Sequence, residues 1–117
     1  MEEALQHLRR ICATLPEVSE RLSHGSPTFF VRDKKTLVTL LDDHHGDGRL
    51  AIWCPAPDGV QATLVDAEPD RFFRPPYVGG RGWLGVRLDV DWVEIAGIVT
   101  DAYRLVAPKT LIRQLDA

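Results

Sequence analysis

Two short stretches constrain the fold more than anything else in the chain. In Trp83–Asp89, Leu84, Val86 and Leu88 fall on one side of an extended backbone, and Trp83, Gly85, Arg87 and Asp89 on the other. In Arg49–Cys54, Leu50, Ile52 and Cys54 alternate with Arg49, Ala51 and Trp53. A strand that is aliphatic on one side must lay that side against an apolar layer. The sequence supplies the layer as helices. Ala4, Leu5, Leu8, Ile11, Cys12 and Leu15 recur at three- and four-residue steps. Trp92, Ile95, Ala96, Val99, Ala102, Tyr103 and Val106 do the same behind Asp91, an acidic N-cap with Glu94 placed for a capping box.

The remaining segments fit between these. Pro16 closes the first helix, and Glu17–Leu22 is predicted to add a further helical turn before the loop His24-Gly25-Ser26-Pro27. Thr28–Arg32 and Thr36–Asp42 read as a hairpin around Asp33-Lys34-Lys35, and His44-His45-Gly46-Asp47-Gly48 turns the chain into Arg49–Cys54. Val60, Leu64 and Ala67 suggest a short helix, Phe72-Phe73 a brief strand, and 75–82 a loop. Lys109–Leu115 is predicted as a last helix behind Pro108. The expectation is a two-layer α+β fold, an antiparallel sheet with helices packed on one face, spanning residues 1–117 as a single domain.

Two cysteines, Cys12 and Cys54, make no disulfide framework and read as small buried hydrophobes. No apolar run approaches the roughly 18 residues of a membrane span. The charged start is not that of a signal peptide. A cytoplasmic protein with no membrane partner is expected.

If the aliphatic faces meet the helices, Trp53, Trp83, Arg49 and Arg87 are left on the outer side of the sheet. Indoles flanked by guanidiniums suit stacked bases and phosphates, or the anchors of a protein partner or homodimer. The other possibility is that arginine stems or a folded turn cover the indoles within the monomer. Charge bears on this. Arg71–Arg87 contains Arg71, Arg74, Arg81 and Arg87 and no acid, which leaves ten basic and 17 acidic residues elsewhere, a balance of −7. This is an acidic body with one positive segment, not the globally basic chain of a strong nucleic-acid binder.

Other chemistries find little to work with. His44, His45 and Asp47 share a turn without a second ligand cluster, so no metal is expected. Ser23, His24 and Ser26 lack a nucleophile elbow and a placed acid. Gly79-Gly80-Arg81-Gly82 leads into a strand and lacks the helix N-terminus of a phosphate loop, although its arginine could still grip a phosphate.

The order of the segments resembles the MmcQ/YjbR family of small bacterial proteins. The matching pieces are Leu15-Pro16-Glu17, His24-Gly25-Ser26-Pro27-Thr28-Phe29-Phe30-Val31, Lys34-Lys35, Phe72-Phe73-Arg74-Pro75-Pro76-Tyr77-Val78-Gly79, Gly82-Trp83-Leu84 and Asp101 through Lys109. Ala102 departs from the serine common in the family, which argues against a reacting hydroxyl there. The resemblance implies a double-wing α+β fold, similar to frataxin-like and secretion-chaperone-like folds, and a DNA-binding role assigned by fold analogy. It carries no cofactor. Frataxin-like iron binding would want an acidic first helix, whereas Glu2 and Glu3 here stand against Arg9 and Arg10.

The expected function is therefore a non-enzymatic binding module with weak, nonspecific affinity for DNA. Its expected contacts are Lys34 and Lys35 in one wing, Arg71, Arg74, Tyr77 and Arg81 in the other, and Trp83 with Arg87 on the sheet. Arg104 and Lys109 extend the patch. The alternatives are a chaperone-like or protein-interaction domain using the open sheet face, and a binder of a small phosphate-bearing ligand near Tyr77, Gly79–Gly82 and Tyr103.

Overall fold

A computed structural model describes residues 1–89 and 91–117. The stripe Ala4, Leu5, Leu8 and Cys12 winds into helix α1, Glu2–Ala13, and is buried. At its end the Thr14 hydroxyl donates to the Ile11 carbonyl at 2.7 Å. The helical turn predicted over Glu17–Leu22 does not form. Glu17 takes φ 54°, and Val18–Ser23 is strand β1 instead. Pairing decides it: β1 lies antiparallel to β2 (Ser26–Val31), from Val18 opposite Val31 to Ser23 opposite Ser26.

The β1–β2 turn is only His24 and Gly25, at φ 51° and 80°. Positive φ at both central positions is the turn whose twist suits a hairpin. Ser26 and Pro27, predicted as loop, already belong to β2. The next hairpin repeats the device with Arg32 and Asp33 (φ 52° and 57°), one residue earlier than predicted, and leads into β3, Lys35–Asp42. Strands β4 (Leu50–Cys54), β5 (Phe72–Phe73) and β6 (Leu84–Arg87) complete a sheet of order β1-β2-β3-β4-β6-β5, antiparallel at each pairing.

Helices α2 (Val60–Ala67), α3 (Trp92–Val106) and α4 (Lys109–Asp116) occupy the predicted segments. The Asp91 carboxylate accepts from the Val93 amide at 2.9 Å and caps α3. Glu94 does not complete a capping box, because its carboxylate binds Arg71. Among the described residues no helix is long and apolar enough to cross a membrane.

The main core lies between sheet and helices, as the strand pattern demanded. Ile52, Cys54, Leu84 and Val86 pack there with Leu5, Leu8, Ile95, Val99 and Leu111. Tyr103, fully buried, ties α3 to the segment between α1 and β1 by donating its hydroxyl to the Pro16 carbonyl at 2.8 Å. A β-bulge adjusts β3 to this core. Val38 stands opposite Phe29 and Thr36 opposite Phe30, so Leu37 is the extra residue; Leu37 and Val38 both enter the core, while Thr36 and Thr39 share the opposite face.

That opposite face corrects the expectation of an open sheet. Trp53 and Trp83 are only 8% and 9% exposed. They form a second apolar cluster with Leu41, Ala51 and Phe73, packed against Val78 of the loop between β5 and β6. The monomer itself covers its indoles. Arg49 also closes inward, with its guanidinium 4.1 Å from the Phe73 ring centre and an ion pair to Asp47 at 3.9 Å.

A cleft on the second face of the sheet

The cover stops short of the whole face. The β5–β6 loop leaves the sheet at Phe73, crosses the indoles, and returns at Trp83. Its path is set by short backbone bonds: Gly79 N to Pro75 O at 3.0 Å, Arg81 N to Val78 O at 3.0 Å, and Gly82 N to Gly79 O at 3.1 Å. Gln61 of α2 pins both ends of the returning turn, its amide donating to Gly79 O at 2.9 Å and to Trp83 O at 2.5 Å. A Cβ at Gly79 would stand 2.6 Å from Cγ of Arg74, so a larger residue there would have to displace that exposed side chain.

Between this loop, the β1–β2 turn and the β3–β4 loop lies a cleft of about 690 Å³. Its floor is hydroxyl-rich, with Ser23, Ser26, Thr28, Thr36 and Thr39 contributed by three neighbouring strands. The Thr28 hydroxyl donates to the Ser26 carbonyl at 3.0 Å and lies 3.4 Å from that of Thr39. Leu41, Trp53, Val78 and Trp83 form the apolar wall. His24, His44, His45, Tyr77 and Arg81 supply the rest.

Aromatic contacts organise the wall and rim. The Arg81 guanidinium lies 5.4 Å from the Trp83 ring centre, within cation–π range. His44 stands edge-on to Trp53, with ring centres 4.9 Å apart, and its buried Nε2 has no hydrogen-bond partner. His45 reaches across to Tyr77, whose hydroxyl is 3.4 Å from its Nε2. This contact bridges the two loops that frame the cleft. Tyr77, at φ 66°, is otherwise 79% exposed.

The ten predicted contact residues are scattered by the fold. Tyr77, Arg81 and Trp83 come together at the cleft, with Arg74 beneath the turn of the same loop. Trp83 is buried there, so its ring is not a free stacking surface. Lys34 and Lys35 are exposed at the far end of the β2–β3 hairpin from His24. Arg87 is half-buried on β6. Arg71 is held by Glu94 and by Glu68 (2.6 Å), hydrogen bonds that raise its pKa and neutralise its field. Arg104 and Lys109 lie in the helical layer, on α3 and α4. Arg104 donates to Asp116 at 3.0 and 2.6 Å and holds that carboxylate below its ordinary range. Tyr103 sits in the core and takes no part in the cleft.

The hydroxyl floor and the imidazoles carry no signal local enough to mark them in the sequence. Ser26 and Thr28 carry the period-two signal of one strand face, but the bulge in β3 hid that Thr36 and Thr39, three residues apart, share a face. His44 and His45 read only as part of a turn without a second ligand cluster, because nothing local shows Trp53 and Tyr77 reaching them.

Comparison with known proteins fits this architecture. The sequence profile of the YjbR family matches residues 13–105. The chain belongs to the YjbR family. A solved structure of the Deinococcus radiodurans protein DR2400, with a DUF419 domain, superposes with a TM-score of 0.75 at 19% identity. It covers 96% of this chain and 87% of that one, and the likeness supports the fold. No curated protein matches this YjbR chain. The cleft's chemistry must be read from its own residues.

Proposed function

We propose that this YjbR protein is a non-enzymatic binding module that holds a small anionic ligand in the cleft. One observation carries the reading: none of the fourteen lining residues is Asp or Glu, in a chain that has 17 of them. A cleft in an acidic body that excludes carboxylates and contains Arg81 and three imidazoles selects for negative charge. Its size is that of ordinary small-molecule sites, which run about 300–1,000 Å³.

The DNA reading has less support. Its best stacking residue, Trp83, is buried, and Arg71 and Arg104 are matched by carboxylates. Exposed Lys34 and Lys35 stand together on the β2–β3 hairpin, while exposed Lys109 belongs to α4 in the helical layer.

Thermal unfolding with phosphate, citrate and phenyl phosphate at constant ionic strength tests the proposal, alongside a mobility shift with duplex DNA. Anions are expected to raise Tm in the wild type and not in Arg81→Gln; a hundredfold excess over Kd is worth about 2.7 kcal/mol. No stabilisation by any anion would refute the reading. So would a DNA shift indifferent to Arg81→Gln that weakens roughly 100-fold for a fourfold rise in salt, the signature of about four neutralised phosphates.

A further inference from the structure

Resting on the anion reading, we infer that the ligand is an aromatic phosphate monoester, its flat body against the apolar wall and its phosphate at Arg81. Volume argues first. A bare phosphate occupies on the order of two water volumes, roughly 60 Å³ at ~30 Å³ each. The cleft is about 690 Å³, so such an ion would leave most of it to other atoms. The wall says what those atoms are. Leu41, Trp53, Val78 and Trp83 line one side of the cleft with the small apolar margins that their packing leaves uncovered, 8% and 9% of the two indoles, and an apolar body laid along that side is favoured over a second charged end.

The head group follows from the donors. Arg81 forms no ion pair among the described residues, and its guanidinium rests over Trp83. Gly80 and Gly82 flank it, while Gln61 fixes the ends of the turn, so the fork can pivot without the loop moving. The acids beside the imidazoles do not line the cleft, and two of them are engaged by backbone amides of their own loop. Asp43 accepts from the Gly48 amide at 2.6 Å and Asp47 from the Arg49 amide at 2.9 Å. Exposed His24 and His45 and the hydroxyls of Ser23, Ser26, Thr36 and Thr39 add further donors, that of Thr28 being taken by the Ser26 carbonyl. A phosphate monoester brings three acceptor oxygens to such a set. Arg81 is the residue that ranks it above a neutral ring.

Isothermal titration with three probes tests this on the full chain: phenyl phosphate, inorganic phosphate and benzyl alcohol. Phenyl phosphate is expected to bind at least tenfold tighter than inorganic phosphate. Arg81→Gln, a change at an exposed loop position, is expected to weaken phenyl phosphate at least tenfold and leave benzyl alcohol unchanged. Equal affinity for the two phosphates would overturn the aromatic body while leaving the anion site standing. Binding of phenyl phosphate that ignores Arg81→Gln would overturn the placement of the head group. If neither phosphate binds, both this inference and the anion reading fall.

Discussion

Gly85 lies in β6 between Phe73 of β5 and Trp53 of β4, opposite both in the ladder. A Cβ at this glycine would stand 2.4 Å from the Phe73 ring, which is itself buried. The ring therefore rests on bare backbone, and it packs there in the cluster that also holds Trp53 and Trp83. Gly85→Ala is expected to destabilise the protein by about 1–3 kcal/mol through overpacking. Urea denaturation measures it, and the change in midpoint should come without a change in slope. The sequence showed Gly85 on the Trp–Arg side of a strand but not what filled the space. Phe73 is close only through the sheet's order, and no local pattern announces that order.

At the scale of elements, the predicted segments that formed are those whose signal is local. Helix α3 has its cap, its apolar stripe and its length written in one stretch. Asp91→Ala should cost about 1 kcal/mol of stability by leaving the Val93 amide without its acceptor. A loss near zero in chemical denaturation would show that Asp91 does not cap the helix in solution. Strand β1 is the contrary case. Val18–Ser23 has no strand alternation, since its two apolar residues Val18 and Leu22 are four apart, and its identity comes from Val31, Phe29 and Thr28 across the hairpin. The bulge at Leu37 is likewise settled by pairing with β2. Candidate site residues suffered most from this. They sit on turns and strand faces whose neighbours are far away in the chain, and so the cleft was legible only as a glycine-rich loop with one arginine.

Across the whole molecule, the two sides of the sheet carry different chemistry. Both thiols belong to the helix-covered side, where burial pushes Cys12 and Cys54 up to about 12, with smaller contributions from Glu20 and Asp101 respectively. A thiol raised in the folded state favours folding only while it stays protonated. Stability is therefore expected to hold below about pH 9 and to fall as pH rises toward 12. At pH 10 the loss is about 1 kcal/mol per thiol. Denaturation midpoints at pH 8 and pH 10 measure it, and Cys54→Ala should flatten the decline. An unchanged decline in that variant would place its origin elsewhere. The cleft takes no part in this titration, because both thiols lie in the core on the other side of the sheet, and its lining is joined to the helices through the sheet and through Gln61 of α2. A wall with separate tenants on its two sides can be refurnished on one without disturbing the other. Substitutions at Arg81, Tyr77, His24 or His45 are thus free to change which guest is held while the chain keeps its shape, and a shared backbone among relatives need not mean a shared ligand.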